Sequence, residues 1–183
     1  MNESIFDKSA LVIIDMQFPF LNCGYNKEKK KSLIQAQKNM IKLYKEENLP
    51  VITLEFNCYG STIPEIRTEF EQLEKKALVV KGDDSGFSHE YFEQVLKEWE
   101  IKHLILTGVS ARACVAETAQ DAKTRGYQFS TAVDLISDSN DLPIRYAEWY
   151  KKEAHFYFPS YLNFLDLHRK LKEKKIVQPI DLR

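Results

Sequence analysis

Cysteine is scarce and odd in number: Cys23, Cys58 and Cys114 are the three in a chain of 183 residues. An odd set cannot pair off internally, and a chain of this length buries enough core to need no staples, which excludes a disulfide scaffold. The three show no C-x-x-C spacing, and the four histidines (His89, His103, His155, His168) form neither H-x-H nor H-x-x-x-H. No metal and no other cofactor is therefore expected. Excess charge of either sign is missing too. Against 27 acidic residues stand 26 basic ones, a net charge of −1, which removes the electrostatic case for nucleic acid or a membrane surface as partner. No apolar run reaches membrane-spanning length, and the opening M-N-E-S-I-F-D-K has no basic segment followed by a long apolar one, so a cytoplasmic location is expected. G-x-G-x-x-G and G-x-x-x-x-G-K-[ST] are both absent, which argues against a nucleotide-binding domain, and without G-x-S-x-G a serine hydrolase is disfavoured. With no repeat, low-complexity tract or linker, 1–183 reads as a single domain.

What is present is a regular alternation. Ala10–Ile14 is a continuous apolar, β-branched run that ends abruptly in Asp15-Met16-Gln17, as a buried strand would. A charged cluster at Lys27–Lys31 opens a helix carried by Leu33, Ile34, Ala36, Met40, Ile41 and Leu43. Pro50 introduces a second strand, Val51–Phe56, and Gly60-Ser61-Thr62 reads as a turn with a candidate N-cap, leading into a charged stretch with Ile66, Phe70 and Leu73 on one side. Ala77–Val80 is the third strand and 81–87 a loop, after which Ser88 can cap a helix faced by Tyr91, Phe92, Val95, Leu96 and Trp99. Leu104-Ile105-Leu106 is the fourth strand. A turn of small residues, Gly108-Val109-Ser110-Ala111, leads into a helix from about Ala113 that Gly126 stops. Gln128–Val133 is the fifth strand and Asp134–Asp141 a polar loop; Ile144–Tyr150 looks helical, His155–Phe158 is a candidate last strand, Tyr161–Lys172 has helical spacing and Val177–Arg183 reads as a surface tail.

Such alternation predicts an α/β fold: a Rossmann-like three-layer α/β/α sandwich around a mainly parallel sheet of five or six strands, ordered 3-2-1-4-5(-6). In that order strands one and four are neighbours at the topological switch point, so Asp15 and Cys114 face each other across the crevice. Lys81 follows the third strand at the same rim. Alone, Cys114 reads as a small buried hydrophobe, Asp15 as a turn cap and Lys81 as a solvated surface residue. Together they make complementary chemistry, because a carboxylate can take the thiol proton while an ammonium and the first turn of a helix favour the thiolate. Backbone N–H groups of the turn could complete an oxyanion hole. Cys23 and Cys58 read as bystanders, and Asp83, Asp84 and Ser85 need nothing beyond turn chemistry.

These residues resemble a known family. D-M-Q after a buried first strand, a lysine after the third, and G-V-S-A-R-A-C-V-x-x-T-A-x-D-A-x-x-x-G-Y are similar to the isochorismatase-like cysteine hydrolases, a group that includes nicotinamidases and N-carbamoyl amidohydrolases. The likeness runs from about Ala10 to Asp138. It implies a catalytic triad with Asp15 as base, Lys81 as stabilising cation and Cys114 as nucleophile, forming a thioester as it expels ammonia or an amine. It also implies a cis peptide before Ser110, with Val109, Ser110 and Ala113 around the oxyanion. Where nicotinamidases of the group carry a metal-binding D-x-H segment, this chain reads Leu54-Glu55-Phe56-Asn57, which lowers the case for a metal and for nicotinamide. The expectation is a metal-independent cysteine hydrolase (an amidohydrolase) cleaving a C–N bond of a small amide. Vinyl ether hydrolysis of the isochorismatase type and a catalytically silent scaffold are the alternatives. An alkylating agent is expected to label Cys114 ahead of Cys23 and Cys58.

Around the triad, Gln17 either orients its loop or touches substrate, and Glu55 is either a substrate hydrogen-bonding group or a solvated strand end. Phe20 and Phe87 are chosen over Phe18 and Phe56 as walls of the substrate pocket. The aromatic group Trp149, Tyr150, Phe156, Tyr157, Phe158, Tyr161 and Phe164 fits either a subunit interface or packing on the last strand; a homo-oligomer, dimer or tetramer, is expected.

Overall fold

The computed structural model describes residues 5–22, 25, 27–139 and 144–177. Its elements in chain order are β1 (Ser9–Ile14), α1 (Phe18–Asn22), α2 (Lys27–Glu46), β2 (Val51–Phe56), α3 (Pro64–Glu71), β3 (Lys76–Lys81), a 3-10 turn (Gly86–Ser88), α4 (Glu90–Glu98), β4 (His103–Val109), α5 (Cys114–Thr124), β5 (Gln128–Ala132), β6 (Ile136–Ser137), α6 (Ile144–Glu153), β7 (Phe156–Phe158) and α7 (Leu162–Val177). The sheet runs β3-β2-β1-β4-β5-β7 with every neighbouring pair parallel, and β6 pairs with the end of β4 beyond β5. This is the expected α/β order, with β7 in the place of the candidate last strand and the two-residue β6 added.

Alternate residues of each central strand enter opposite cores. Val12, Ile14, Leu54, Leu104 and Leu106 pack with Phe92 and Val95 of α4 and Val115, Ala119 and Ala122 of α5. Leu11, Ile13, Val51 and Ile105 pack on the other face with Leu33, Ala36, Met40 and Tyr44 of α2, Ile66 of α3 and Phe164 of α7. Both faces of β1 and β4 are therefore covered, so all thirteen of their residues are buried. Each large aliphatic side chain so buried contributes about 1.5–3 kcal/mol against chain entropy. β3, at the edge, has only one covered face: Ala77, Val79 and Lys81 are buried while Lys76, Leu78 and Val80 are exposed.

Local differences from the sequence reading have simple causes. α1, at five residues, is too short to show a helical period. Thr62 does not cap α3; Ile63 holds the cap position with Pro64 following, and Thr62 instead bridges Gln17. Ser88 lies inside the 3-10 turn, and the His89 side chain caps α4 by accepting from the Tyr91 N–H. Lys81 is the last residue of β3 rather than the first of the loop. The loop read at Asp134–Asp141 contains β6, and its residues 140–141 lie outside the described residues. Val177 closes α7, while the tail at 178–183 is also outside the described residues, as is Cys23.

The late aromatic residues pack within the chain. Trp149 stacks on Phe129, Tyr150 on Tyr157 and Phe156 on Phe158, and Phe158 meets Phe164 edge to face. Tyr150 and Phe164 are wholly buried.

Candidate active site

Three strand ends deliver the site. At the end of β1 the backbone of Asp15 turns into the left-handed region (φ 51°), which a short polar side chain tolerates better than a branched one. The residue opposite Ile14 on β4 is Gly108, at φ +124°. A Cβ there would stand 2.1 Å from the Ile14 carbonyl oxygen, so only glycine lets the two strands run this close as they enter the site. From β3, two strand spacings (about 10 Å) away, Lys81 reaches over the end of β2. Its Nζ passes 4.3 Å from the centre of the Phe56 ring and ends 2.9 Å from Asp15 Oδ2.

Both members of this ion pair are sealed, Lys81 at 0% and Asp15 at 1% exposure. The Lys81 ammonium also donates to the Asp83 carbonyl at 3.0 Å. Neither Asp15 oxygen takes a well-aligned hydrogen bond among the described residues, which leaves carboxylate lone pairs turned toward the thiol of Cys114. Burial raises the pKa of Asp15 above the ordinary Asp value of 3.8, while Lys81 and the thiol oppose the rise.

Cys114 is the first residue of α5 and is 6% exposed. Burial pushes its thiol well up, and the neighbouring carboxylates Asp15 and Asp84 add to the rise while Lys81 opposes it. That corrects the expectation of a resting thiolate: the desolvation penalty and two negative neighbours outweigh one ammonium and a helix end. The arrangement thus favours the thiol over the thiolate, beside the buried Asp15 carboxylate. The thiol lies 3.5 Å from Asp84 Oδ1, a partner the sequence reading passed over.

The turn ahead of Cys114 is tied down on every side. Its Val109-Ser110 peptide is cis, as the resemblance implies. Asp138, buried at the end of β6, accepts from the Ser110 hydroxyl, from the Arg112 N–H at 3.1 Å and from Arg112 Nε at 3.4 Å. The Ala111 N–H donates to the Ser137 carbonyl at 3.0 Å, and the Ala111 carbonyl accepts from the Tyr150 hydroxyl at 2.6 Å. Ala113, expected among the oxyanion donors, has its N–H spent on the Ser110 carbonyl at 3.1 Å; the Val115 N–H donates there too. No hydrogen bond among the described residues takes the N–H of Cys114 itself, so it is a donor left for an oxyanion. Val109 buries its side chain in the core and lends only its backbone.

The other expected site residues divide. Gln17 is engaged at both ends of its amide: Nε2 donates to the carbonyls of Phe56 and Gly60, and Oε1 accepts from the Phe56 N–H at 2.8 Å. It thus orients the loop after β2. Glu55 is buried rather than solvated, with Oε1 accepting from the Thr62 N–H at 2.7 Å, which makes it a brace for the same loop. Phe20 is half-buried against Phe56 and Tyr59, forming an aromatic group beside Lys81. Phe87 is buried: its ring packs in the core on Phe92 and Tyr127, under the Arg125 guanidinium. Phe56, set aside in the sequence reading, is the ring at the lysine. A large cavity of about 690 Å³ lies beside the site, sharing Ser137 and Asp138 with the turn but lined by none of Asp15, Lys81 and Cys114. Among the described residues no helix is long and apolar enough to cross a membrane, and no group of three or more His, Cys, Asp or Glu is placed to hold a metal ion.

Comparison with known proteins agrees with this architecture. The isochorismatase domain family model matches residues 9–153. The chain is 26% identical over 147 residues to the secreted isochorismatase effector Isc1 of Verticillium dahliae, a stretch spanning 74% of this chain and 75% of that one. Among solved structures it is similar to the MAR1 ribonuclease of Caenorhabditis elegans, at 22% identity and a TM-score of 0.75 over 96% of this chain and 94% of that one. It is likewise similar to N-carbamoylsarcosine amidase of Thermoplasma acidophilum, at 20% identity and a TM-score of 0.72 over 84% and 96% of the two chains. Likeness at these identities speaks for the fold, which many chemistries share.

Proposed function

The chain belongs to the isochorismatase family, and on that footing we propose that it is a metal-independent cysteine hydrolase that cleaves a C–N bond of a small carboxamide or related substrate. The observation that carries this reading is the meeting of Asp15, Lys81 and Cys114 at one rim of the sheet, with an acceptor facing a thiol and a cation 2.9 Å behind the acceptor.

In the proposed cycle Asp15 removes the thiol proton as Sγ attacks the substrate carbonyl carbon. Charge that develops on the carbonyl oxygen is met by the Cys114 N–H. The tetrahedral intermediate collapses as the proton on Asp15 passes to the leaving nitrogen, releasing ammonia or an amine and leaving a thioester on Cys114. Water then attacks the thioester, giving up a proton to Asp15, and that proton returns to sulfur as the carboxylic acid departs. Lys81 favours the charged form of Asp15 each time the proton leaves it.

The same proposal takes residues 1–183 as one domain acting on a small molecule in the cytoplasm. It also takes the protein as a homo-oligomer, since an open edge strand with Leu78 and Val80 exposed gains from being covered. The deciding experiment is an ammonia-release screen over small amides and ureas, with Cys114→Ala run in parallel. Release by the wild type and none by the variant is the expected result; no release from any substrate would sink the reading.

A further inference from the structure

The thiol of Cys114 lies between two carboxylates of opposite circumstance. Asp15 is buried and neutralised by Lys81, whereas Asp84 is exposed and has no ion-pair partner among the described residues. Asp84 Oδ1 is nonetheless 3.5 Å from Sγ, and as the exposed one of the two carboxylates it is the one a group arriving from solvent can meet. The local formal charge, counting Asp15, Lys81 and Asp84, is negative.

Asp84 is held there by design of the loop. Ser85 Oγ donates to Asp121 Oδ2 at 2.7 Å, and the Gly86 N–H donates to the Thr118 hydroxyl at 3.0 Å. That hydroxyl in turn donates to the carbonyl of Cys114 at 2.7 Å. Gly86 is packed so tightly that a Cβ would stand 2.5 Å from a Leu54 methyl. At the other end, the Asp83 carbonyl accepts from Lys81 Nζ, and the Asp83 side chain accepts from the Asp84 N–H at 2.7 Å. The loop is thus fastened to the lysine on one side and to the cysteine's helix on the other, so Asp84 keeps its place relative to both.

We propose that Asp84 is a specificity-determining residue: it recognises an ammonium or other N–H-rich cationic group on the substrate and turns away substrates bearing a carboxylate at that end. The inference rests on the cysteine hydrolase reading and narrows it to cationic amides. Without substrate, Asp84 occupies the thiol. A cationic group arriving at the mouth draws the carboxylate to itself and leaves the thiol facing Asp15, so the correct substrate assembles the reacting pair. An anionic group meets uncompensated like charge at a site where an exposed contact still discriminates by roughly tenfold.

The test has one arm that needs no turnover. Cys114 is modified with a cationic and an anionic methanethiosulfonate, the trimethylammonioethyl and sulfonatoethyl reagents, and its modification rate is followed by peptide mass spectrometry, with exposed Cys58 as internal reference. The cation-to-anion rate ratio at Cys114, normalised to Cys58, is expected to exceed one in the wild type and to fall roughly tenfold in Asp84→Asn, while Asp84→Glu retains it. An unchanged ratio in Asp84→Asn overturns the proposal. In the second arm, 3-aminopropanamide, butanamide and succinamate are compared by kcat/KM. Preference for the cation, lost in Asp84→Asn, supports the proposal, and preference for the anion overturns it. Absence of all amide turnover with the reagent ratio still shifted would refute the amidase reading while upholding the charge selection.

Discussion

Lys81 Nζ and Asp15 Oδ2 lie 2.9 Å apart, with both side chains closed off from solvent. Each charge is tolerable only because the other is there. Breaking such a pair from one side strands a buried charge, and Lys81→Met is expected to cost about 3–5 kcal/mol in unfolding by urea. Lys81→Met combined with Asp15→Leu should recover much of that loss while remaining inactive. A double variant no more stable than Lys81→Met would show that the pair is not the source of the loss.

The thiol yields a second expectation, and it reverses one drawn from the sequence. Buried and flanked by carboxylates, Cys114 rests as the thiol, whereas Cys58 is exposed. In the unliganded protein at neutral pH, iodoacetamide should therefore label Cys58 first. Labelling of Cys114 should climb as pH is raised and should be faster in Asp15→Asn, which removes the larger negative neighbour. Peptide mapping over a pH series measures both; prompt labelling of Cys114 at neutral pH would contradict the arrangement.

Gly108 gives a test of the crevice itself. Because a Cβ at 108 would meet backbone atoms of Ile14, which cannot swing aside, Gly108→Ala is expected to destabilise by more than about 3 kcal/mol and to lose activity even if folded protein is recovered. Gly82→Ala, where nothing stands within 4 Å of the added atom, is the control and should change stability by less than about 1 kcal/mol.

His103 opens β4 at the end opposite the site. It is buried against Ser130 and Gln128 beside His155. Burial, with His155 adding to it, lowers its pKa from 6.5 to about 4. Between those values the unfolded chain binds more protons than the folded one, so stability is complete above pH 6.5 and falls as pH drops toward 4. The loss amounts to about 3 kcal/mol. His103→Gln should flatten this part of the stability curve between pH 7 and 4; an unaltered acid slope would remove His103 as its cause.

How much of this could be read from the chain depends on the range of the interactions involved. The continuous apolar runs of β1 and β4 announce burial on both faces, and the alternation of strand with helix fixes the order in which they pair. Asp15 and Lys81 were legible because each sits at the end of an apolar run, and Cys114 because it opens the helix after the short turn that follows β4. Asp84 was not. Its role comes from a loop fastened through Ser85 and Gly86 to Asp121 and Thr118, more than thirty residues away, and the only local hint is an acid on the loop that leaves the lysine's strand. Phe56 and Phe87 were exchanged for a similar reason: both flank strand ends, and only the packing of Phe87 on Phe92 and Tyr127 shows which one the core claims. The protonated state of the thiol likewise depends on burial, which composition does not reveal.

Thr118 has one oxygen that both accepts from the Gly86 N–H and donates to the Cys114 carbonyl. It acts as a rivet between the helix that carries Cys114 and the loop that carries Asp84. While that rivet and the Ser85–Asp121 bond stay, exposed Gly82 and Asp84 are free to change in charge and size, and a descendant of this chain could take a different substrate without rebuilding the turn that carries Cys114.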